Sequence, residues 1–168
     1  MLKRLIMLAF LAAAALTASA QKNSLPVVTL KDLDGKKVST ADWSNDGKPI
    51  VISFWATWCK PCIKELMAIH EQYDEWQKET GVKVIAVTID DSRNATKVAP
   101  FVSGKGWEFE IYLDENSDLK RALNVPNVPH TFLLNGKGDV VWQHTSYNVG
   151  DEEELYKQIK EVAAAAAK

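Results

Sequence analysis

From Ile50 to Trp55 the chain reads Ile-Val-Ile-Ser-Phe-Trp, almost continuously apolar and β-branched, the pattern of a strand covered on both faces. The period then changes. Cys62, Leu66, Ile69, Tyr73 and Trp76 recur at intervals of four, three, four and three, one apolar stripe of an α-helix running from Pro61 to about Glu79 and ended by Gly81. Val82 to Ile89 reads as a second buried strand, Ser92 to about Ser103 as a helix, Phe109 to Leu113 as a third strand, and Ser117 to Leu123 as a short helix. Upstream, Val27 to Lys31, the Asp34-Gly35 turn and the stretch through Trp43 predict a small β-hairpin that Gly47 and Pro49 terminate. Downstream, Val125 to Pro129 leads into Thr131 to Leu134, a turn over Asn135 to Asp139, Val140 to His144, and a last helix from about Gly150 to Lys168. The alanine run Ala163 to Ala167 needs no explanation beyond helix propensity. The resulting order, β-hairpin, βαβαβα, β-hairpin, helix, predicts an α/β fold. Its mixed central sheet is parallel where helices connect strands and antiparallel in the late hairpin, with helices on both faces.

The first 20 residues stand outside that pattern. Lys3 and Arg4 precede an apolar run from Leu5 to Leu16 that closes on Ala18-Ser19-Ala20, the anatomy of a secretory signal peptide cleaved after Ala20. The run is shorter than the roughly 20 residues that span a bilayer; an uncleaved N-terminal anchor is the competing reading. Residues 21–168 then form one domain, and export places it in the periplasm. With 46% hydrophobic and 25% charged residues, disorder, collagen and coiled coil are excluded. Losing Lys3 and Arg4 leaves 18 basic residues against 22 acidic ones, a net charge of −4, so the mature chain has no basic excess to bind nucleic acid.

Two cysteines are too few to build a disulfide scaffold, and they lie three positions apart in Trp58-Cys59-Lys60-Pro61-Cys62. Cys59 follows the buried strand and opens the striped helix. At a helix N-terminus the unpaired N–H groups and the dipole stabilise a thiolate, so Cys59 is the expected nucleophile and is expected near solvent. Cys62 begins the apolar stripe, is expected to be more buried, and can resolve a mixed disulfide on Cys59. Pro61 suits the first helical turn, where no backbone donor is needed. Lys60 places a cation beside Cys59, which lowers a thiol pKa. Structural zinc needs about four ligands, and His70, His130 and His144 are not at ligand spacing, so no metal site is expected. A disulfide kept for stability alone is a weak alternative, because so short a loop removes little unfolded-chain entropy.

The segment Phe54-Trp55-Ala56-Thr57-Trp58-Cys59-Lys60-Pro61-Cys62, followed by Glu65, resembles the active-site segment of the thioredoxin superfamily, and in particular its exported TlpA/ResA-like branch. Val128-Pro129-His130-Thr131-Phe132-Leu133-Leu134, followed by Asn135-Gly136 and Gly138, resembles that family's cis-proline strand and hairpin. The likeness spans roughly Leu25 to Val162. It implies a thioredoxin fold with an N-terminal β-hairpin and a central strand-helix insertion. It also implies a cis Val128–Pro129 bond beside the cysteines, with the Val128 backbone pairing with an extended client segment. Trp58 adjoins the cysteine expected near solvent and is read as part of the apolar surface on which a partner docks, with ordinary packing as the alternative; Lys60, Pro61, Val128 and Pro129 are assigned to the same substrate-binding surface. Trp55 and Trp76 are assigned to core packing.

The superfamily's cytoplasmic members carry a buried acidic residue where this chain has Ser53, so Glu65 is the substitute: it lies at i+3 from Cys62 and is assigned the Cys62 proton. A solvated helix-face carboxylate is the plainer reading of Glu65. His130 replaces the small residue often found after the family's cis-proline, and an exposed or core-satisfied imidazole is favoured over a tuning role. The resemblance implies an exported thiol–disulfide oxidoreductase, monomeric and without cofactor beyond a redox-active Cys59–Cys62 disulfide. It would act as a reductase on disulfide- or thiol-bearing client proteins such as apocytochrome c, recharged by a membrane electron donor. Two other readings remain. A peroxiredoxin-type thiol peroxidase fits less well, because Thr57 lies two residues before Cys59 and the proline of that family's Pro-x-x-x-Thr-x-x-Cys segment is missing. A copper or zinc carrier would use Cys59, Cys62 and a histidine brought in by the fold.

Overall fold

Strand β3 (Ile50–Trp55) is buried at all six residues, as a strand covered on both faces must be. Its side chains alternate between two apolar clusters. Val51 and Trp55 enter one, with both cysteines, Leu66, Ile69 and Trp76; Ile50, Ile52 and Phe54 enter the other, with Leu119, Phe132 and Leu134. The computed structural model describes residues 24–166; the leader read in residues 1–20 lies outside the described residues. The remaining strands are β1 (Thr29–Lys31), β2 (Lys37–Ser39), β4 (Lys83–Thr88), β5 (Glu110–Leu113), β6 (His130–Leu134) and β7 (Val140–Thr145). The helices are α1 (Lys60–Thr80), α2 (Val98–Lys105), α3 (Asp118–Ala122) and α4 (Asp151–Ala166).

All seven strands join one sheet in the order β2-β1-β5-β4-β3-β6-β7. β3, β4 and β5 run parallel, while the β1–β2, β1–β5, β3–β6 and β6–β7 pairs are antiparallel. The mixed sheet with flanking helices is the α/β architecture that the order of elements predicts, and the thioredoxin-like fold that the family resemblance implies. The N-terminal hairpin is not an appendage: Lys31 pairs with Leu113 of β5, so it extends the sheet.

The expected helix from Ser92 starts late. Asp91 gathers the preceding turn through the N–H groups of Arg93, Asn94 and Ala95, a 3-10 turn covers Ala95–Lys97, and α2 begins only at Val98. Pro100 then stands in the first turn of α2, where its missing N–H costs nothing.

Helix α1 carries the expected stripe, with Cys62, Leu66, Ile69, Tyr73 and Trp76 buried, and it ends on Gly81 at φ 66°, the left-handed conformation glycine adopts without a Cβ penalty. Trp76 stacks on Tyr156 with centroids 4.9 Å apart, fixing α4 against α1. The β3–β6 register places Phe54 opposite His130 and Ser53 opposite Thr131. One step further, the cis Val128–Pro129 bond lies beside the end of β3, just ahead of the cysteine motif.

Candidate active site

The chain leaves β3 through a tight turn in which the Cys59 N–H bonds the Ala56 carbonyl at 3.0 Å, and α1 starts at once. Cys59 is the helix N-cap and Cys62 lies one turn in; the two form a disulfide. The Cys59 Sγ accepts the Cys62 N–H at 3.3 Å, so the sulfur occupies the place of a capping oxygen at the positive end of a 21-residue helix. Pro61 stands in the first turn, where it withdraws no needed donor.

The two sulfurs are less unequal in exposure than expected. Cys62 is fully buried, and Cys59, expected near solvent, retains only 5%. The N-cap geometry accounts for this: it folds the Cys59 side chain inward over the first helical turn, and Trp58, 64% exposed, takes the outward position. Lys60 and Pro61 are exposed beside it. A groove of about 360 Å³ opens there, with Lys64, Tyr147, Asn148 and Val149 as its other walls. Those four residues were not assigned in the sequence, where nothing in Lys64 or in Tyr147-Asn148-Val149 marks a groove; Val149 is an exposed apolar residue. Val128 packs against the cluster that holds both cysteines, and Pro129 is buried.

Glu65 is 4% exposed, not a solvated helix-face carboxylate. Thr131 Oγ1 donates to its Oε1 at 2.7 Å and Ser53 Oγ to its Oε2 at 3.4 Å. These donors are opposite one another in the β3–β6 register, so one rung of the sheet presents two hydroxyls to a single carboxyl on α1. Burial pushes the Glu65 carboxyl from 4.5 up to about 7; Asp151 and Glu152 add to the rise, while the two hydroxyl bonds oppose it.

His130 is the core-satisfied imidazole favoured from sequence. It is 5% exposed and stacked on Phe132 at 4.5 Å. Gln143 Oε1 can only accept, so Nε2 carries the proton at 3.0 Å and the Thr145 hydroxyl donates to Nδ1 at 3.1 Å. Burial lowers its pKa below 6.5. Trp55 and Trp76 are fully buried, as assigned. Asp90 was missed in the sequence: it is fully buried and bonded to the turn before Cys59. Among the described residues, no three His, Cys, Asp or Glu side chains are grouped to hold a metal ion, and no helix is long and apolar enough to cross a membrane.

A mixed sheet with a helix-capping Cys-x-x-Cys disulfide defines a thioredoxin-like protein, and comparison with known proteins agrees. Residues 22–143 match the AhpC/TSA family, and the chain belongs to that family. It is 36% identical over 116 residues to the thiol-disulfide oxidoreductase ResA of Bacillus subtilis, an alignment covering 69% of this chain and 62% of the relative. The chain thus spans somewhat under two thirds of that relative's length. Among solved structures, a thioredoxin-like protein from Porphyromonas gingivalis superposes with a TM-score of 0.75 at 51% identity, covering 83% of this chain and 92% of the other. StoA from Bacillus subtilis superposes with a TM-score of 0.62 at 26% identity, covering 79% and 97%.

Proposed function

We propose that this protein is an exported thiol–disulfide oxidoreductase that exchanges its Cys59–Cys62 couple with client proteins in the periplasm, in the direction of client reduction. The carrying observation is the disulfide at the N-terminus of α1 with a buried, hydroxyl-bound carboxyl, Glu65, at i+3 from its inner cysteine. The name of the ResA relatives supports the same activity.

In the reduced protein the Cys59 thiolate attacks one sulfur of a client disulfide, forming a mixed disulfide and releasing the other client sulfur as a thiolate, which takes a proton. Glu65 accepts the Cys62 proton; the Cys62 thiolate then attacks Cys59 Sγ, closes the internal disulfide and expels the second client sulfur as a thiolate, which takes that proton from Glu65. Two electrons and two protons pass to the client. A carboxyl with a pKa of about 7 is suited to taking and returning that proton near neutral pH. The Cys59–Cys62 disulfide is the only redox group required. A membrane electron donor returns the pair to the dithiol, since the periplasm is kept oxidising.

Trp58, Lys60 and Pro61 form one wall of the client surface, and the Val128 backbone before Pro129 offers strand-like pairing to an extended client segment. The leader of residues 1–20 delivers the domain of residues 21–168, which acts as a monomer. Dithiothreitol-driven reduction of insulin tests the reading: wild type should turn over and Cys59→Ser should not, whereas equal rates would overturn it.

A further inference from the structure

Some buried groups take no part in the exchange steps. Two carboxyls stand out. Asp114 accepts the N–H groups of Asp118, Leu119 and Lys120 and so starts α3, which accounts for it. Asp90 starts no helix. Its Oδ2 accepts the Thr57 N–H at 2.8 Å and the Thr88 hydroxyl at 2.6 Å, and its Oδ1 accepts the Thr57 hydroxyl at 2.7 Å. Its own N–H returns a bond to Thr88 Oγ1 at 3.1 Å. The carboxylate is fully buried.

The place of this clamp gives it meaning. β3 and β4 pair in parallel as far as Trp55 and Thr88, and the Ile89 N–H extends the ladder to the Trp55 carbonyl. There the two chains part: β3 must turn within four residues to deliver Cys59. The Asp90 carboxylate takes the next position along the ladder, holding Thr57 by backbone and side chain together. Thr57 is the second residue of the turn closed by the Cys59 N–H on the Ala56 carbonyl. A turn pinned there has little freedom to move Trp58 or Cys59.

We propose that Asp90 is a positioning residue for the dithiol: by clamping Thr57 it fixes the Ala56–Cys59 turn and so holds the Cys59 sulfur over the N-terminus of α1. The stabilisation of a thiolate by helix-terminal N–H groups falls off within the first turn, so a sulfur allowed to drift loses it. This proposal rests on the dithiol reading. Its readout is the ionisation of one thiol, which is measured without any client, so its failure and the failure of the exchange reading are distinguishable.

The test is the pH dependence of Cys59 alkylation by iodoacetamide, in a Cys62→Ser background so that one thiol is read. Asp90→Ala removes every acceptor and should raise the Cys59 pKa by about one unit, a tenfold smaller thiolate fraction below it. Asp90→Asn keeps an oxygen for the Thr57 N–H and an amide for the Thr57 hydroxyl, and should not raise it. Loss of the Asp90 charge alone would lower the thiol pKa in both variants, so the sign separates position from charge. A Cys59 pKa that does not rise in Asp90→Ala, or rises equally in Asp90→Asn, overturns the proposal. If Asp90→Ala does not fold, Thr57→Val decides: it removes one of the two clamping bonds and should raise the pKa by a smaller amount, and no rise overturns the proposal.

Discussion

Thr131 and Glu65, 66 positions apart in the chain, meet in a 2.7 Å hydrogen bond that ties the strand following Pro129 to the helix carrying the cysteines. The bond runs from a sheet hydroxyl to a carboxyl whose pKa burial raises to about 7, so the strand after Pro129 and the helix of the cysteines share one titrating group.

Glu65 makes stability depend on pH in a defined window. Its folded pKa is raised from 4.5 to about 7, so as pH climbs between those values the unfolded chain releases the proton first and the folded state loses relative stability. Below that window the contribution is intact; above it the loss is complete, about 3 kcal/mol. Urea denaturation of the oxidised protein should show Glu65→Gln gaining that amount on wild type between about pH 4 and about pH 8. Parallel pH profiles in the two proteins would contradict the assignment.

Removing the resolving sulfur should arrest exchange midway. Cys62→Ser incubated with a disulfide-bearing client should accumulate a covalent adduct on Cys59 that dithiothreitol releases, visible by mass; Cys59→Ser should accumulate none.

Trp58 offers a cleaner separation of binding from folding. At 64% exposure it contributes little burial, so Trp58→Ala should move the unfolding free energy by no more than about 0.5 kcal/mol. Loss of an aromatic anchor should raise the KM for a protein client about tenfold, as measured in insulin reduction.

Gly136 tests the packing that holds the β6–β7 turn. A Cβ there would lie 1.9 Å from the Gly47 carbonyl oxygen and 2.3 Å from its carbon, backbone against backbone with no side chain to swing aside. Gly136→Ala should destabilise the protein by about 1–3 kcal/mol in chemical denaturation, and an unchanged midpoint would show that this contact gives way.

Much of this architecture could be read along the chain because its periodicities are strong. β3 is apolar at every position but Ser53 and α1 carries a five-residue stripe, so the motif between them had to sit at a strand-to-helix junction. Pro129 and Val128 came from the family likeness and not from period or spacing, and Trp58 came from its place next to Cys59. What stayed hidden depends on pairing across long separations. Ser53 and Thr131 become a joint clamp on Glu65 only through the β3–β6 register, and Asp90 reaches Thr57 only because β3 and β4 end side by side. The inward turn of Cys59 was hidden for a local reason: helix capping by sulfur is a matter of side-chain rotation, which no apolar pattern records. The delayed start of α2 follows from Asp91 and Pro100, whose effects on the turn outweigh the weak apolar periodicity there.

The central claim is a reversible two-electron couple at Cys59 and Cys62, poised to reduce. Equilibrating the protein in glutathione buffers of graded composition and counting alkylated thiols by mass measures it directly. One transition is expected, in which both thiols appear together, with a potential of about −270 mV. A pair that never closes under oxidising buffer, or a potential as high as about −120 mV, would contradict it.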